Sequence, residues 1–144
     1  MVNKWDIRFL ELAEHISRWS KDPSTKCGAV IVDNDRRIVS VGYNGLPKGI
    51  SKEDGYLDDK DLKYVVIIHA EHNALIFAKQ SIEGYTLYTW PFSSCAHCTS
   101  MFIQAGIRRM VFPSMPERIK DRWGKDAKVA DRLRAEAGIK ESCV

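Results

Sequence analysis

Two short motifs constrain this chain more than any other feature: His69-Ala70-Glu71 and Cys95-Ala96-His97-Cys98. Imidazoles and thiolates are common zinc ligands; a structural zinc takes four of them, whereas a catalytic zinc takes three and leaves one position for water. The motifs supply three ligands, His69, Cys95 and Cys98. They therefore predict one catalytic Zn²⁺ per chain, and with it an enzyme.

Glu71 is a carboxylate beside this site that the metal does not need. Zinc with an open position lowers the pKa of a bound water to near neutrality. Attack of that water on a ring carbon requires protons to move to a ring nitrogen and to a departing amine. Glu71 is the predicted catalytic residue for these transfers, and His-x-Glu with a later Cys-x-x-Cys is typical of zinc deaminases.

Size and composition bound the remaining possibilities. With 144 residues and 44% hydrophobic content, the chain predicts a single domain over 1–144. It has no apolar stretch of about 20 residues and no secretion signal at its start, so we expect a cytoplasmic protein without a membrane partner. The Cys-x-x-Cys spacing in such a protein favours metal binding over disulfides.

The net charge of +3 comes from basic residues that gather after Arg108, interleaved with acidic ones. Mixed charges of this kind favour a solvated helix face over a nucleic-acid groove. No nucleic-acid partner is therefore expected. The balance also suits a small phosphorylated substrate.

Hydrophobic periodicity predicts eight elements in the order αββαβαβα. Helices are expected over 5–19, 70–79, 98–104 and from Trp123 or Asp126 to Ala137, and strands over 28–32, 38–43, 86–90 and 109–112. The first two strands form a predicted hairpin, both mostly buried. The polar stretch from Asn44 to about Lys63 predicts a surface loop. This order implies an α/β fold with a helix-covered sheet.

Four segments give the chain a resemblance to the zinc-dependent cytidine deaminase-like superfamily, most closely to the deoxycytidylate deaminases. They are Ser20 to Val32, the Gly42-Tyr43-Asn44-Gly45-Leu46-Pro47 turn, His69 to Ala74, and Cys95 to Cys98 with Gln104 to Ile107. The resemblance implies a three-layer α/β/α sandwich with a central mixed sheet. It also implies zinc on His69, Cys95 and Cys98, with Glu71 as the proton shuttle.

The same resemblance implies a reaction and partners. The reaction is dCMP plus water to dUMP plus ammonia, with Asn44 contacting the sugar and the Ala70 backbone reading the pyrimidine ring. Such enzymes are homo-oligomers, often hexamers, and many are activated by dCTP and inhibited by dTTP. The expected partners are thus a pyrimidine nucleotide, dCTP and dTTP as effectors, and further copies of the chain.

The chain departs from the family pattern at three places. Ser93-Ser94 stand where proline is expected before Cys95. No cysteine or histidine lies between Pro47 and His69, so the second zinc of some phage relatives has no ligands. A tyrosine that helps to hold the 5′-phosphate is missing after the fourth strand.

The missing tyrosine leaves the phosphate contact to other residues. We hypothesise that Arg118 replaces it, because a guanidinium can hold a phosphate through two hydrogen bonds. Ser24 and Lys26, after the first helix, are further candidate substrate-binding residues.

Other functions remain open at this level. The same chemistry could act on cytosine, cytidine or deoxycytidine, guanine or an RNA adenine, because substrate choice depends on pocket shape. A non-enzymatic zinc or nucleic-acid-binding module would not need Glu71. An oxidoreductase built on Cys-x-x-Cys would be active without metal.

Overall fold

The computed structural model describes residues 2–122 and 124–144. Its helices are α1 (Lys4–Ser17), α2 (Lys60–Val66), α3 (Ala70–Ala78), α4 (Ala96–Gln104), α5 (Glu117–Arg122) and α6 (Gly124–Glu136). Its strands are β1 (Gly28–Val32), β2 (Ile38–Tyr43), β3 (Thr86–Trp90), β4 (Arg109–Phe112) and β5 (Lys140–Cys143). A short 3₁₀ helix spans Lys52–Asp54.

The five strands form one mixed sheet in the order β2-β1-β3-β4-β5. β1 pairs antiparallel with both β2 and β3, which confirms the predicted hairpin, and β3, β4 and β5 run parallel. β1 has neighbours on both sides and all five of its residues are buried. A continuous apolar run suits a strand that is covered on both faces.

Helices cover both faces of this sheet, as the predicted three-layer α/β/α arrangement requires. One face packs against α1, through the buried residues Phe9, Leu10, Ala13, Val30, Val32, Tyr88 and Val111. The other face packs against α3 and α4, through a cluster that includes Ala29, Ile31, Ala70, Ala74, Leu87, Phe102 and Met110. Alternate residues of β1 thus serve opposite cores, as the period of a strand dictates.

Local sequence explains where α1 begins and how closely α1 and α3 lie on the sheet. Asn3 and Asp6 form a reciprocal capping box at the start of α1. Gly28 and Gly42 lie where a helix backbone crosses the sheet: a Cβ at Gly28 would be 2.0 Å from the Ala13 oxygen, and one at Gly42 2.3 Å from the Ala70 oxygen. Only glycine permits this approach.

Four parts of the sequence prediction were wrong. The polar stretch before His69 is not all loop, because the Asp59 side chain accepts from the backbone N–H of Leu62 and begins α2. α5 and β5 were not predicted; β5 is four residues long and exists by pairing with β4. The second strand is half exposed, since it lies at the sheet edge.

The last predicted helix is largely confirmed as α6. Its start was predicted at Trp123 or Asp126; Trp123 lies outside the described residues, and the described helix begins at Gly124. Within the described chain, no helix combines the length and the apolar character needed to cross a membrane.

Candidate active site

The amino termini of α3 and α4 bring the two sequence motifs together. His69 is the N-cap residue of α3 and Cys95 that of α4, with Cys98 in the first turn of α4. The Nδ1 atom of His69 lies 3.6 Å from Cys95 Sγ and 3.4 Å from Cys98 Sγ. The predicted ligands thus meet, although they come from segments 26 and 29 residues apart.

The spacing of these donor atoms fits a zinc ion. Zinc bonds of about 2.3 Å to sulfur and 2.1 Å to nitrogen give about 3.6 Å between those atoms in a tetrahedron. The three ligand atoms all lie within 4.8 Å of one another. Among the described residues this is the one group of three side chains that could hold a metal ion. A soft donor set of two thiols and one imidazole favours zinc over the hard cations.

The helix start also prepares Cys95 for metal binding. Hydrogen bonding from the Cys98 thiol, from His69 and from the backbone N–H of Cys98 holds the pKa of Cys95 well below its usual range. The free N–H groups and positive dipole end of a helix favour a thiolate in the same way. Cys95 therefore favours the thiolate form that zinc requires.

Glu71 lies in the first turn of α3 and is buried, with 7% of its surface exposed. Burial raises the pKa of its carboxyl above the ordinary value. Glu71 does not belong to the three-ligand group, yet it lines the same cavity as His69 and Cys95. A carboxyl with a raised pKa, next to a metal-binding group to which it does not belong, is suited to accept and return a proton.

A cavity of about 150 Å³ opens in front of these residues. A volume of this size holds a six-membered ring. Its walls come from the loop before β1, the turn after β2, α2, the starts of α3 and α6, the end of β3 with the loop that follows it, and the loop after β4. The residues that line it besides His69, Glu71 and Cys95 are Asp22, Ser24, Thr25, Cys27, Asn44, Lys63, Tyr64, Ile67, Ala70, Trp90, Phe92, Ser93, Ser94, Met115, Asp126 and Ala127.

Asn44 holds two of these walls together. Its Oδ1 accepts from the Cys27 backbone N–H at 2.9 Å, and its Nδ2 donates to the Thr25 carbonyl at 2.8 Å and to Asp22 Oδ2 at 3.4 Å. Both amide hydrogens are therefore used. Its predicted contact with a sugar stays a prediction, and the free lone pair of Oδ1 is the atom available for it.

The other predicted substrate-binding residues divide into two groups. Ala70 and Ser24 line the cavity. Lys26 and Arg118 are exposed and do not line it: the Lys26 ammonium donates to the Ser20 carbonyl, and Arg118 lies on α5. The structure therefore brings neither of these two cations to the cavity, and their phosphate roles stay predictions.

Sequence reasoning missed three charged residues of the cavity. Asp22 lies inside a segment that carried the family resemblance, and that was its only signal. Asp126 is an acidic residue in the first turn of α6, and its carboxylate accepts from the Ala96 backbone N–H at 3.1 Å, at the start of α4. Lys63 had no signal, because its stretch was predicted to be a surface loop.

Comparison with known proteins agrees with this site. Residues 3–114 match the family model described as the cytidine and deoxycytidylate deaminase zinc-binding region. The chain belongs to this deaminase family. The match includes both zinc motifs and ends before α5, so Met115 and Asp126, which also line the cavity, lie beyond it.

Individual relatives of the deaminase support the same assignment. This chain is 41% identical to an uncharacterized deaminase of Aliivibrio fischeri, over 96% of this chain and 92% of the relative. It is 39% identical to a probable deoxycytidylate deaminase of Caenorhabditis elegans, over 88% of this chain but only 65% of the relative's length.

Solved structures confirm the fold. The dCMP deaminase of cyanophage S-TIM5, in complex with dCMP and dUMP, superposes with a TM-score of 0.75 and 26% identity, over 100% of this chain and 99% of that one. The predicted cytidine deaminase-like sandwich is thus confirmed.

Proposed function

We propose that this deaminase converts dCMP and water to dUMP and ammonia, with one Zn²⁺ held by His69, Cys95 and Cys98. The observation that carries the proposal is the position of Glu71, which is buried beside the three metal-binding side chains and lines the same ring-sized cavity. The phage relative bound to dCMP and dUMP supports the choice of substrate.

The proposed roles of the chain's residues follow from the chemistry. The zinc ion, when bound, supplies Lewis acidity that lowers the pKa of water. Glu71 accepts a proton from the attacking water at a carboxylate oxygen and returns it to ring nitrogen N3. It then takes the proton of the new hydroxyl group on C4 and delivers it to the amine, so that the C4–N bond breaks, ammonia leaves and the C4 carbonyl of dUMP forms. Burial raises the pKa of Glu71 above its ordinary value, which favours its taking up the proton of the attacking water.

A substrate panel tests this proposal. Zinc-loaded protein is incubated with dCMP, deoxycytidine, cytidine, cytosine and guanine, and ammonia and the deaminated products are measured. We expect the highest kcat/KM for dCMP. Turnover of deoxycytidine with equal or higher kcat/KM would contradict a nucleotide substrate, and no ammonia release from any compound would contradict deamination.

We also propose that the deaminase works in the cytoplasm as a homo-oligomer under dCTP and dTTP control. Apolar side chains near the β2 edge support self-association: Trp19, Tyr43, Ile76 and Phe77 are each more than 40% exposed. Light scattering measures the mass in solution, and a monomer at micromolar concentration would contradict assembly.

Kinetics with added dCTP and dTTP would test regulation.

A further inference from the structure

The helix α2 buries a lysine and exposes its apolar side chains. Lys63 is 4% exposed, whereas its neighbours Leu62, Tyr64 and Val65 are 39%, 51% and 82% exposed. Burial of an ammonium group is unfavourable unless it is paired, and lysine is among the residues least often buried. Hydrophobic burial therefore does not explain how α2 is oriented, and the Lys63 ammonium needs another reason to face inward.

Part of that reason is Asp22, which lies 41 residues earlier in the chain. The Lys63 Nζ donates to Asp22 Oδ1 at 3.1 Å, and both side chains are about 95% buried. Asp22 Oδ1 also accepts from the backbone N–H groups of Ser24 and Thr25, at 2.8 and 3.3 Å. The carboxylate thus has donors besides the lysine, and an ammonium has three N–H groups, of which Asp22 takes one.

The charges that line the cavity indicate what the other N–H groups of Lys63 could bind. Three carboxylates line it, those of Asp22, Glu71 and Asp126, and among the described residues Lys63 is the only lysine or arginine that does so. A phosphate dianion would be repelled by such walls unless a cation compensated. Lysine is a common phosphate ligand that acts as a point charge.

We propose that Lys63 binds the 5′-phosphate of the nucleotide substrate and makes the deaminase prefer a nucleoside monophosphate to the free nucleoside. This inference rests on the proposed deamination of dCMP. Asp22 holds the ammonium in the cavity wall while the substrate is absent. When the nucleotide binds, the other N–H groups of Lys63 donate to phosphate oxygens, in the cavity that also contains Glu71.

The test compares dCMP with deoxycytidine in three variants. Lys63→Met removes the charge at nearly constant length. Lys63→Met with Asp22→Asn removes both charges, so that no buried carboxylate is left unpaired. Lys60→Met is the matched control, because it removes the same charge from an exposed position of the same helix.

We expect the ratio of kcat/KM for dCMP to that for deoxycytidine to fall at least about tenfold in the single and the double variant, and to stay unchanged in Lys60→Met. Calorimetry with dUMP and deoxyuridine, which needs no turnover, should show the same loss for dUMP alone.

Other outcomes separate the two proposals. If both substrates lose kcat/KM equally, or if the double variant recovers the wild-type ratio, Lys63 is only the structural partner of Asp22 and the inference is wrong. If the single variant does not fold, the double variant and the calorimetry decide. If wild-type protein does not deaminate dCMP, the proposed function itself fails, independently of any result on Lys63.

Discussion

Glu71 is the residue on which the proposed chemistry depends most directly. Its carboxyl is buried beside the metal-ligand group but does not belong to it. Glu71→Gln keeps the shape and removes the proton transfer, so we expect kcat to fall by roughly 10²–10⁴-fold. Bound zinc should stay near one equivalent per chain, as measured by atomic absorption.

His69→Ala is the matched comparison, because it removes a ligand and should lower the zinc content and the activity together. If Glu71→Gln kept most of the activity, the carboxylate would have no catalytic role and the zinc site would be structural. Loss of zinc in Glu71→Gln would instead indicate that Glu71 is a fourth ligand. The two variants therefore separate proton transfer from metal binding.

Among the elements, α3 can lie as close to the sheet as it does because residue 42 of β2 is a glycine. A Cβ at Gly42 would lie 2.3 Å from the Ala70 oxygen and 2.5 Å from the Ala74 nitrogen, so β2 and α3 would have to separate. Gly42→Ala should destabilise the fold by about 1–3 kcal/mol. Because His69 and Glu71 begin this helix, the same variant should also bind zinc more weakly.

Urea unfolding and competition with a zinc-sensitive dye measure these two effects. Gly124→Ala is the control, since a Cβ at that position meets nothing within 4 Å. It should leave zinc binding unchanged and raise the free energy of unfolding by no more than about 1 kcal/mol, because alanine has less freedom than glycine in the unfolded chain. A Gly42→Ala protein with wild-type stability would mean that α3 has room to move away from the sheet.

Across the whole molecule, a buried polar network joins α1 to three strands. Asp6 is fully buried; Arg109 donates to it at 2.7 and 2.8 Å, Tyr88 donates to it at 2.9 Å, and Arg109 also donates to Ser142. Burial acts to raise the pKa of Asp6, but hydrogen bonds from Arg109, Asn3 and Tyr88 outweigh it and lower the pKa below its ordinary value.

The sign of this shift predicts a pH dependence. Because the folded pKa lies below the unfolded one, ionised Asp6 stabilises the fold above about pH 4 and ceases to do so as the pH falls through the folded pKa. Asp6→Asn should cost about 3 kcal/mol at pH 7, since it removes the negative charge that faces Arg109 and replaces the oxygen that accepts from its second N–H₂ group by an amide donor. Urea unfolding should show this difference narrowing as the pH falls below 4.

An exposed ion pair provides the control for the network. Glu14→Gln removes the partner of Arg18, whose side chain is 66% exposed, and should cost less than about 1 kcal/mol. If the cost of Asp6→Asn at pH 3 equalled its cost at pH 7, Asp6 would act through shape and not through charge.

The sequence by itself determined those features that depend on neighbouring residues. The periods of α1, β1 and β3 predicted those elements, and the two zinc motifs predicted the ligands, because each motif carries its own helix start. Cys95 needs only its own turn of helix to be held near Cys98. The type of chemistry could therefore be inferred before the fold was known.

Only the tertiary structure decided which residues complete the cavity. Lys63 and Asp22 meet across 41 residues, and β5 exists by pairing with β4. The local pattern gives no sign of either, because a polar stretch predicts exposure and a four-residue strand has no period to detect. Burial of a single lysine is decided by a distant carboxylate, so the cation proposed to recognise phosphate was visible only in the fold.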